Sequence, residues 1–375
     1  MNLLVHGRFH PSIGGIETVL LLLATEWQRT GHHVVVASDV KCARPPSRRF
    51  SFEVRSRPGP RQWLRLLREA DVFVHMNLSL RALWPRLFVH RPLIVIHQGF
   101  YYSDSIRGSR DLPERLKLRL LRWATNVAVS GAVASRLPVK SAVIPNPFDH
   151  ATFHLDGNSL RRRDLIYVGR LVSEKGVDLL LNAVGRLKQR GLQPRLTVVG
   201  DGPERAALQR LASNLGIIDR VHFTGSCPST QVADLLRRHA ILVVPTLCEE
   251  AFGVVALEGA ACGCAVLGSD GGGLREAIGP AGSVFRRGDL GALTSQLANL
   301  LLQAQGPPGC PQAVAAHLER HHVAVIAEQY LSVFRKAVAP RDFRIAAAAL
   351  RPCRDDNPQR ACSVVGSENN PKWPI

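Results

Sequence analysis

Short, continuous apolar runs recur along the chain, each followed by a glycine-bearing loop and then by a stretch with helical spacing. Leu3-Leu4-Val5 is the first run, and the loop from Gly7 to Gly15 leads into Ile16–Thr30, whose apolar positions repeat at helical intervals. Gly31 ends that helix, and His33–Ser38 reads as the next buried strand, which completes a βαβ unit. Further strands are predicted at Val72–His75, Leu93–His97, Val127–Ser130 and Ala142–Ile144. Val, Ile and Leu runs without polar alternation suit a parallel sheet covered on both faces.

The pattern breaks at Pro145-Asn146-Pro147 and then restarts. Leu165–Val168 is a strand, Gly169–Gly176 a loop and Val177–Arg190 a helix. Arg195–Val199 precedes the turn Gly200-Asp201-Gly202-Pro203 and the helix Glu204–Leu215, and Val221–Thr224, Ile241–Pro245 and Ala265–Ser269 continue the alternation. The fold class expected is α/β, with two Rossmann-like, doubly wound parallel-sheet domains facing a central cleft. The first domain spans 1–150, a polar linker ending in three arginines spans 151–163, and the second domain spans 164–322. An amphipathic helix over 323–338 is expected to pack back toward the first domain, and the stretch 340–375, with little periodicity, reads as a disordered tail.

A length of 375 residues agrees with two cores rather than one. Charge changes the picture more: the net charge is +18, and residues 1–150 carry 22 Lys and Arg against 10 Asp and Glu. Such an excess favours a polyanionic partner, whether nucleic acid, an anionic membrane or a phosphorylated substrate. The eight cysteines contain no C-x-x-C pair, which predicts idle thiols in a reducing compartment. Glu17 and Glu26 flank the apolar run Val19–Ala24 too closely for a signal peptide or a membrane span, so a cytoplasmic location is expected.

Two constellations carry chemistry. In Glu250-Ala-Phe252-Gly253-Val254-Val-Ala-Leu-Glu258, two carboxylates span a loop and the start of a helix, with Gly271-Gly272-Gly273 close behind. A helix start can bind anions through free N–H groups, and a nearby carboxylate can accept the hydroxyls of a ribose. The alternative is that both glutamates merely solvate a helix face. In Gly169-Arg170-Leu-Val-Ser-Glu-Lys175-Gly176, two cations five positions apart follow a strand and can converge on a diphosphate. The alternative there is a surface ion pair with Glu174, worth little.

Taken with the Gly200-Asp-Gly-Pro turn and Gly14-Gly15, these motifs resemble glycosyltransferase family 4, and the resemblance runs from residue 1 to about 338. It implies the GT-B fold and sugar transfer from a nucleotide-diphosphate sugar, with retention of configuration and without a bound metal. It places Arg170 and Lys175 on the donor diphosphate, Glu258 on the ribose and Glu250 on the transferred sugar. It also lets the backbone at Gly14-Gly15 approach the donor phosphate. Gly169, Gly200, Phe252, Gly253 and Val254 complete the expected donor site. His97, at the end of a predicted strand, matches a family histidine that faces donor sugar and acceptor, with His6 and His10 as further candidates. The pathway implied is bacterial envelope polysaccharide synthesis, lipopolysaccharide included, with a glycan or lipid-linked acceptor.

Two departures stand out. Ala251 and Pro147 occupy positions where relatives commonly have glycine, the first mattering only if the backbone needs positive φ, the second stiffening the hinge. No carboxylates or histidines have ligand spacing, so neither a metal nor a cofactor beyond the nucleotide-sugar co-substrate is expected. Retention is expected to proceed by front-face attack, the departing diphosphate taking the proton of the incoming hydroxyl, rather than through a covalent sugar on Glu250.

The basic excess of the first domain gathers in part around Arg107, Arg110, Arg115, Arg119 and Arg122, with Leu112, Leu116, Leu120 and Trp123 on another helical face. Such a helix either lies on anionic lipid at the inner face of the cytoplasmic membrane or buries its leucines in the core. A nucleotide-sugar epimerase of the same fold and a non-catalytic polyanion binder are the other function classes. No aromatic-basic interleaving or helix-turn-helix supports nucleic-acid binding, and no G-x-G-x-x-G supports a dehydrogenase.

Overall fold

The computed structural model describes residues 1–9, 14–40, 50–101, 112–156, 162–302 and 310–339. His10, Arg107, Arg110 and the stretch from Pro340 onward lie outside the described residues.

Strands β1 (Asn2–Gly7), β2 (His33–Ser38), β3 (Glu53–Ser56), β4 (Val72–Met76), β5 (Leu93–His97), β6 (Thr125–Ala128) and β7 (Ala142–Val143) form one sheet in the order β3-β2-β1-β4-β5-β6-β7. Every pairing in it is parallel. Helices α1 (Gly15–Arg29), α2 (Pro60–Glu69), α3 (Leu112–Leu120) and α4 (Gly131–Ser135) connect its strands. In the second domain β8 (Arg162–Val168), β9 (Leu196–Val199), β10 (Val221–Gly225), β11 (His239–Val244), β12 (Ala265–Ser269) and β13 (Gly282–Phe285) pair in the order β10-β9-β8-β11-β12-β13, again all parallel. Its helices are α5 (Val177–Gln189), α6 (Arg205–Asn214), α7 (Ser229–Arg238), α8 (Val254–Ala261), α9 (Leu274–Ile278), α10 (Leu290–Leu302) and α11 (Pro311–Arg320). Strand β8 opens at Arg162, three residues ahead of its apolar run.

The central strands β4 and β5 are buried at every position, as continuous apolar runs require. The last helix, α12 (Val323–Val338), buries Ile326, Ala327, Tyr330, Leu331 and Phe334 at helical spacing. That face meets α1 of the first domain: the Trp27 indole N–H donates to the Ala327 carbonyl at 3.2 Å, and its ring packs edge-on against Phe334 at 5.3 Å. The chain crosses between domains beside a buried reciprocal amide pair, Gln98 and Asn146, joined by two hydrogen bonds of 2.9 Å.

Among the described residues no helix is long and apolar enough to cross a membrane.

Candidate active site

In an open parallel sheet, ligands bind outside the carboxyl ends of the strands where the strand order reverses. In the second domain that reversal lies between β8 and β11. The loop after β8 carries Gly169, Arg170 and Lys175, and the loop after β11 carries Glu250, so both predicted constellations arrive at one place.

The two loops are tied together by backbone. The Glu174 carbonyl accepts the Leu247 N–H at 2.8 Å and the Thr246 hydroxyl at 3.1 Å. With the loops so joined, the Lys175 ammonium bonds the Glu250 carboxylate, 75 residues away in sequence. Lys175 therefore pairs with Glu250 rather than with its neighbour Glu174. The two side chains keep 24% and 18% of their surface exposed, which leaves both within reach of a ligand. Arg170 is exposed and has no ion-pair partner among the described residues, while its carbonyl accepts the buried Tyr167 hydroxyl at 2.9 Å.

Glycine is required where these loops touch. A Cβ on Gly200, whose φ is +133°, would lie 1.9 Å from the Gly169 carbonyl oxygen. One on Gly272, φ +65°, would lie 2.1 Å from the Glu250 carbonyl oxygen, and the next N–H, that of Gly273, donates to that oxygen at 2.7 Å. Gly200 and the Gly271–Gly273 run thus support the Arg170 and Glu250 loops from behind. Ala251 does not have positive φ, since Arg57 and Asn77 are the non-glycine residues that do among the described residues, so the missing glycine costs nothing there.

Gly253, with φ +94°, starts α8, and Val254 is its first residue. Glu258 lies in the second turn of that helix, partly buried, and burial followed by the charge of Asp149 pushes its carboxyl up to about 7. Phe252, expected at the donor, is only 2% exposed and packs 5.7 Å from the His321 ring, so its side chain anchors the loop.

His97 is placed differently from the sequence expectation. Its ring is fully buried, with Nδ1 2.9 Å from the Tyr101 hydroxyl and Nε2 3.0 Å from Asn126 Oδ1. Burial holds its pKa down to about 4. Both nitrogens are engaged within the first domain, so this ring offers nothing to the cleft. On the first-domain side, Gly14 and Gly15 are exposed at the start of α1, and a Cβ on Gly15 would meet open space. Sequence reasoning missed Arg8, Arg81 and Lys117, which line a cavity on that side. Among the described residues no three His, Cys, Asp or Glu side chains gather as metal ligands.

Known proteins resemble the chain at this level. The family described as glycosyl transferases group 1 matches residues 156–305, which include the loops after β8 and β11. The GDP-mannose-dependent alpha-(1-6)-phosphatidylinositol monomannoside mannosyltransferase of Mycolicibacterium smegmatis is 33% identical over 36% of this chain and 38% of its own length. The alpha-D-kanosaminyltransferase of Streptomyces kanamyceticus is 28% identical over 52% of this chain and 58% of its own length. The chain thus spans less than two thirds of these relatives. Among solved structures, Anabaena Alr3699/HepE in complex with UDP and glucose superposes with a TM-score of 0.73 at 19% identity, over 88% of this chain and 98% of that one. The segment that carries both loops is thus similar to the group 1 glycosyl transferases, and the chain as a whole has the GT-B fold.

Proposed function

We propose that the chain transfers a sugar from a UDP- or GDP-sugar to a hydroxyl of a glycan or lipid-linked acceptor. The observation that carries this reading is the Lys175–Glu250 pair at the β8/β11 reversal, beside an Arg170 without a salt-bridge partner among the described residues. A diphosphate entering there offers Arg170 and Lys175 more charge than Glu250 does. Lys175 turns to the diphosphate, and the released Glu250 carboxylate accepts hydroxyls of the sugar. Glu258, as carboxylate, takes the ribose. The names of the relatives support the donor class: one is GDP-mannose-dependent, and the Anabaena structure holds UDP and glucose.

In this reading the acceptor oxygen bonds to the anomeric carbon on the face from which the diphosphate leaves, and a departing phosphate oxygen takes the hydroxyl proton. Configuration is retained, and Arg170 and Lys175 neutralise the leaving group without a metal. His97, enclosed by Tyr101 and Asn126, positions the first-domain wall and takes no part in proton transfer. Bacterial envelope polysaccharide synthesis at the inner face of the cytoplasmic membrane suits such an enzyme. The surface of α3 supports that location: Leu112 is 82% exposed and Leu116 49%, with Trp123 exposed just beyond, while Leu118 and Leu121 turn to the core. Arg115, Arg119 and Arg122 are exposed on the same stretch, a combination suited to anionic lipid.

A thermal-stability screen with a panel of nucleotide sugars tests the donor. One UDP- or GDP-sugar is expected to raise the melting temperature, and adding acceptor to release free nucleoside diphosphate. Stabilisation by none of them overturns the reading. Sedimentation with anionic vesicles at low salt tests the membrane, and an unbound protein counts against that part alone.

A further inference from the structure

The chain passes between its domains twice, once along the linker after β7 and once from α11 into α12. One histidine stands at each passage. The rings of His150 and His322 meet with their centroids 3.6 Å apart and their planes inclined at 39°.

Each ring is tied to a different domain. Arg237 of α7 reaches back to the linker, donating to the Thr152 and His154 carbonyls at 3.4 and 3.3 Å and pairing with Asp156 at 3.3 Å. The linker just beyond His150 is therefore fixed to the second domain. His322 instead heads α12: its carbonyl accepts the Ile326 N–H at 3.1 Å and its Nδ1 accepts the Ala324 N–H at 3.3 Å. Helix α12 is held to α1 of the first domain through Trp27. A change in the angle between the domains thus shifts one ring against the other.

Charged groups surround the pair on every element packed there. On α1, Glu26 is buried and bonded at two points by Arg29, at 2.8 and 2.7 Å. Asp149 precedes His150 on the linker and accepts the Thr152 hydroxyl at 2.6 Å, and Glu319 lies on α11 one turn before His322. The neighbouring His321 ring packs on Phe252 instead. Among the described residues neither ring is hydrogen-bonded to an acid, and His150 Nδ1 is buried without a partner. Burial, followed by the proximity of His322, holds His150 below the ordinary histidine range, while Asp149, Glu26 and Glu319 oppose that shift.

We propose that the His150–His322 stack is a pH-sensitive latch between the two domains. Neutral rings pack against each other and hold the domains in the arrangement described above. The nearby acids favour a first proton on the pair, and the first proton opposes the second. Two imidazolium rings at this separation repel strongly. Protonating His322 Nδ1 also removes the acceptor for the Ala324 N–H at the head of α12. Below the usual histidine range the rings part and the cleft opens. The latch acts through the hinge and not through the donor, so it stands apart from the sugar-transfer reading.

The test is small-angle scattering of the full chain without ligand at pH 8 and pH 5.5, at constant ionic strength. Wild type is expected to show a larger radius of gyration at pH 5.5, reversed on return to pH 8. His150→Phe with His322→Phe keeps two packed rings that cannot be charged, and its radius is expected to be the same at both pH values. His150→Lys places a permanent charge beside His322 and is expected to be expanded already at pH 8. Glu258→Gln is expected to expand as wild type does, which separates the latch from the donor carboxylate. An unchanged wild-type radius overturns the proposal, and so does a double phenylalanine variant that expands as wild type does. Should that variant fail to fold, His150→Gln replaces it. Removing one of the two charges is expected to reduce the expansion, and expansion equal to wild type again overturns the proposal.

Discussion

Glu276, on α9 of the second domain, accepts the Gly131 N–H of the first domain with both carboxylate oxygens, at 3.0 and 3.1 Å. Beside it the Ser130 hydroxyl donates to the Ala251 carbonyl at 2.7 Å, and Arg136 pairs with Glu249 at 2.7 Å. The first contact joins the start of α4 to α9, and the other two join Ser130 and the far end of α4 to the loop that carries Glu250. The start of a first-domain helix is thereby capped by a second-domain acid, and the position of the acid-bearing loop is referred to the opposite wall of the cleft.

Replacing Glu276 and Arg136 together by alanine is expected to leave the fold intact, because both contacts lie at the surface and cost about 1 kcal/mol or less. The domains should separate more readily. Small-angle scattering should report a larger radius of gyration, and kcat/KM should fall about tenfold or more, since misplacement of reacting groups by about 1 Å is that costly. An unchanged radius with unchanged kinetics would show that these contacts do not hold the cleft.

Lys175→Met and Glu250→Gln separate the two halves of the ion pair. On the proposed reading, Lys175→Met removes a diphosphate ligand and strands Glu250, so affinity for nucleoside diphosphate and nucleotide sugar should fall together. Glu250→Gln should retain the nucleoside diphosphate but lose the extra stabilisation given by the sugar, with turnover down about 10²-fold. Calorimetric titration of both ligands into both variants checks the split. Equal losses for both ligands in Glu250→Gln would remove its assignment to the sugar.

Much of this was legible in the chain and some was not, for identifiable reasons. Buried parallel strands announce themselves as apolar runs, and α12 shows its period so clearly that its limits coincide with those predicted. The edge strands β3 and β13 escape, because Glu53-Val-Arg-Ser and Gly282-Ser-Val-Phe bury little and so need no apolar run. Arg170, Lys175, Glu250 and Glu258 are readable because each sits in a local motif beside glycines. Arg8, Arg81 and Lys117 belong to no motif and meet only through topology. On α3, four apolar side chains at helical spacing look like a core face, yet Leu112 and Leu116 point to solvent and Leu118 to the core. Spacing alone does not say which face is covered.

Glu258 titrates where enzymes are assayed. Its carboxyl stands near 7, held there by burial and by Asp149, and ribose hydroxyls are better accepted by the carboxylate. Donor affinity should therefore rise as pH goes from 6 to 8 and level off above. Stability should move the other way: the folded pKa lies above the unfolded value near 4.5, so this group's contribution is fully present below about 4.5 and is lost as pH rises through 7. Glu258→Gln should flatten both dependences, gaining stability at pH 8 while losing donor affinity. Melting temperatures at pH 5 and 8, with and without donor, test it; parallel pH dependence in wild type and variant would exclude Glu258 as the source.

His97 gives the opposite sign. Strand ends look alike in sequence whether their last ring faces the cleft or the neighbouring strand, and here the ring reaches across to Asn126 of β6. Its folded pKa of about 4 lies below the ordinary 6.5, so its neutral form stabilises the fold fully above 6.5 and that contribution is lost as pH falls toward 4. Replacing it by alanine strands the Tyr101 hydroxyl and the Asn126 carbonyl oxygen in the core, at a cost of about 2–4 kcal/mol. Urea unfolding at pH 4.5 and 7.5 should show a large loss at 7.5 and a smaller one at 4.5, where the wild-type histidine has already forfeited much of its advantage. The pH dependence of kcat should keep its shape in whatever activity survives. A variant of undiminished stability whose acidic limb of kcat had vanished would instead make His97 a proton carrier, and the first-domain wall would have to open to let it act.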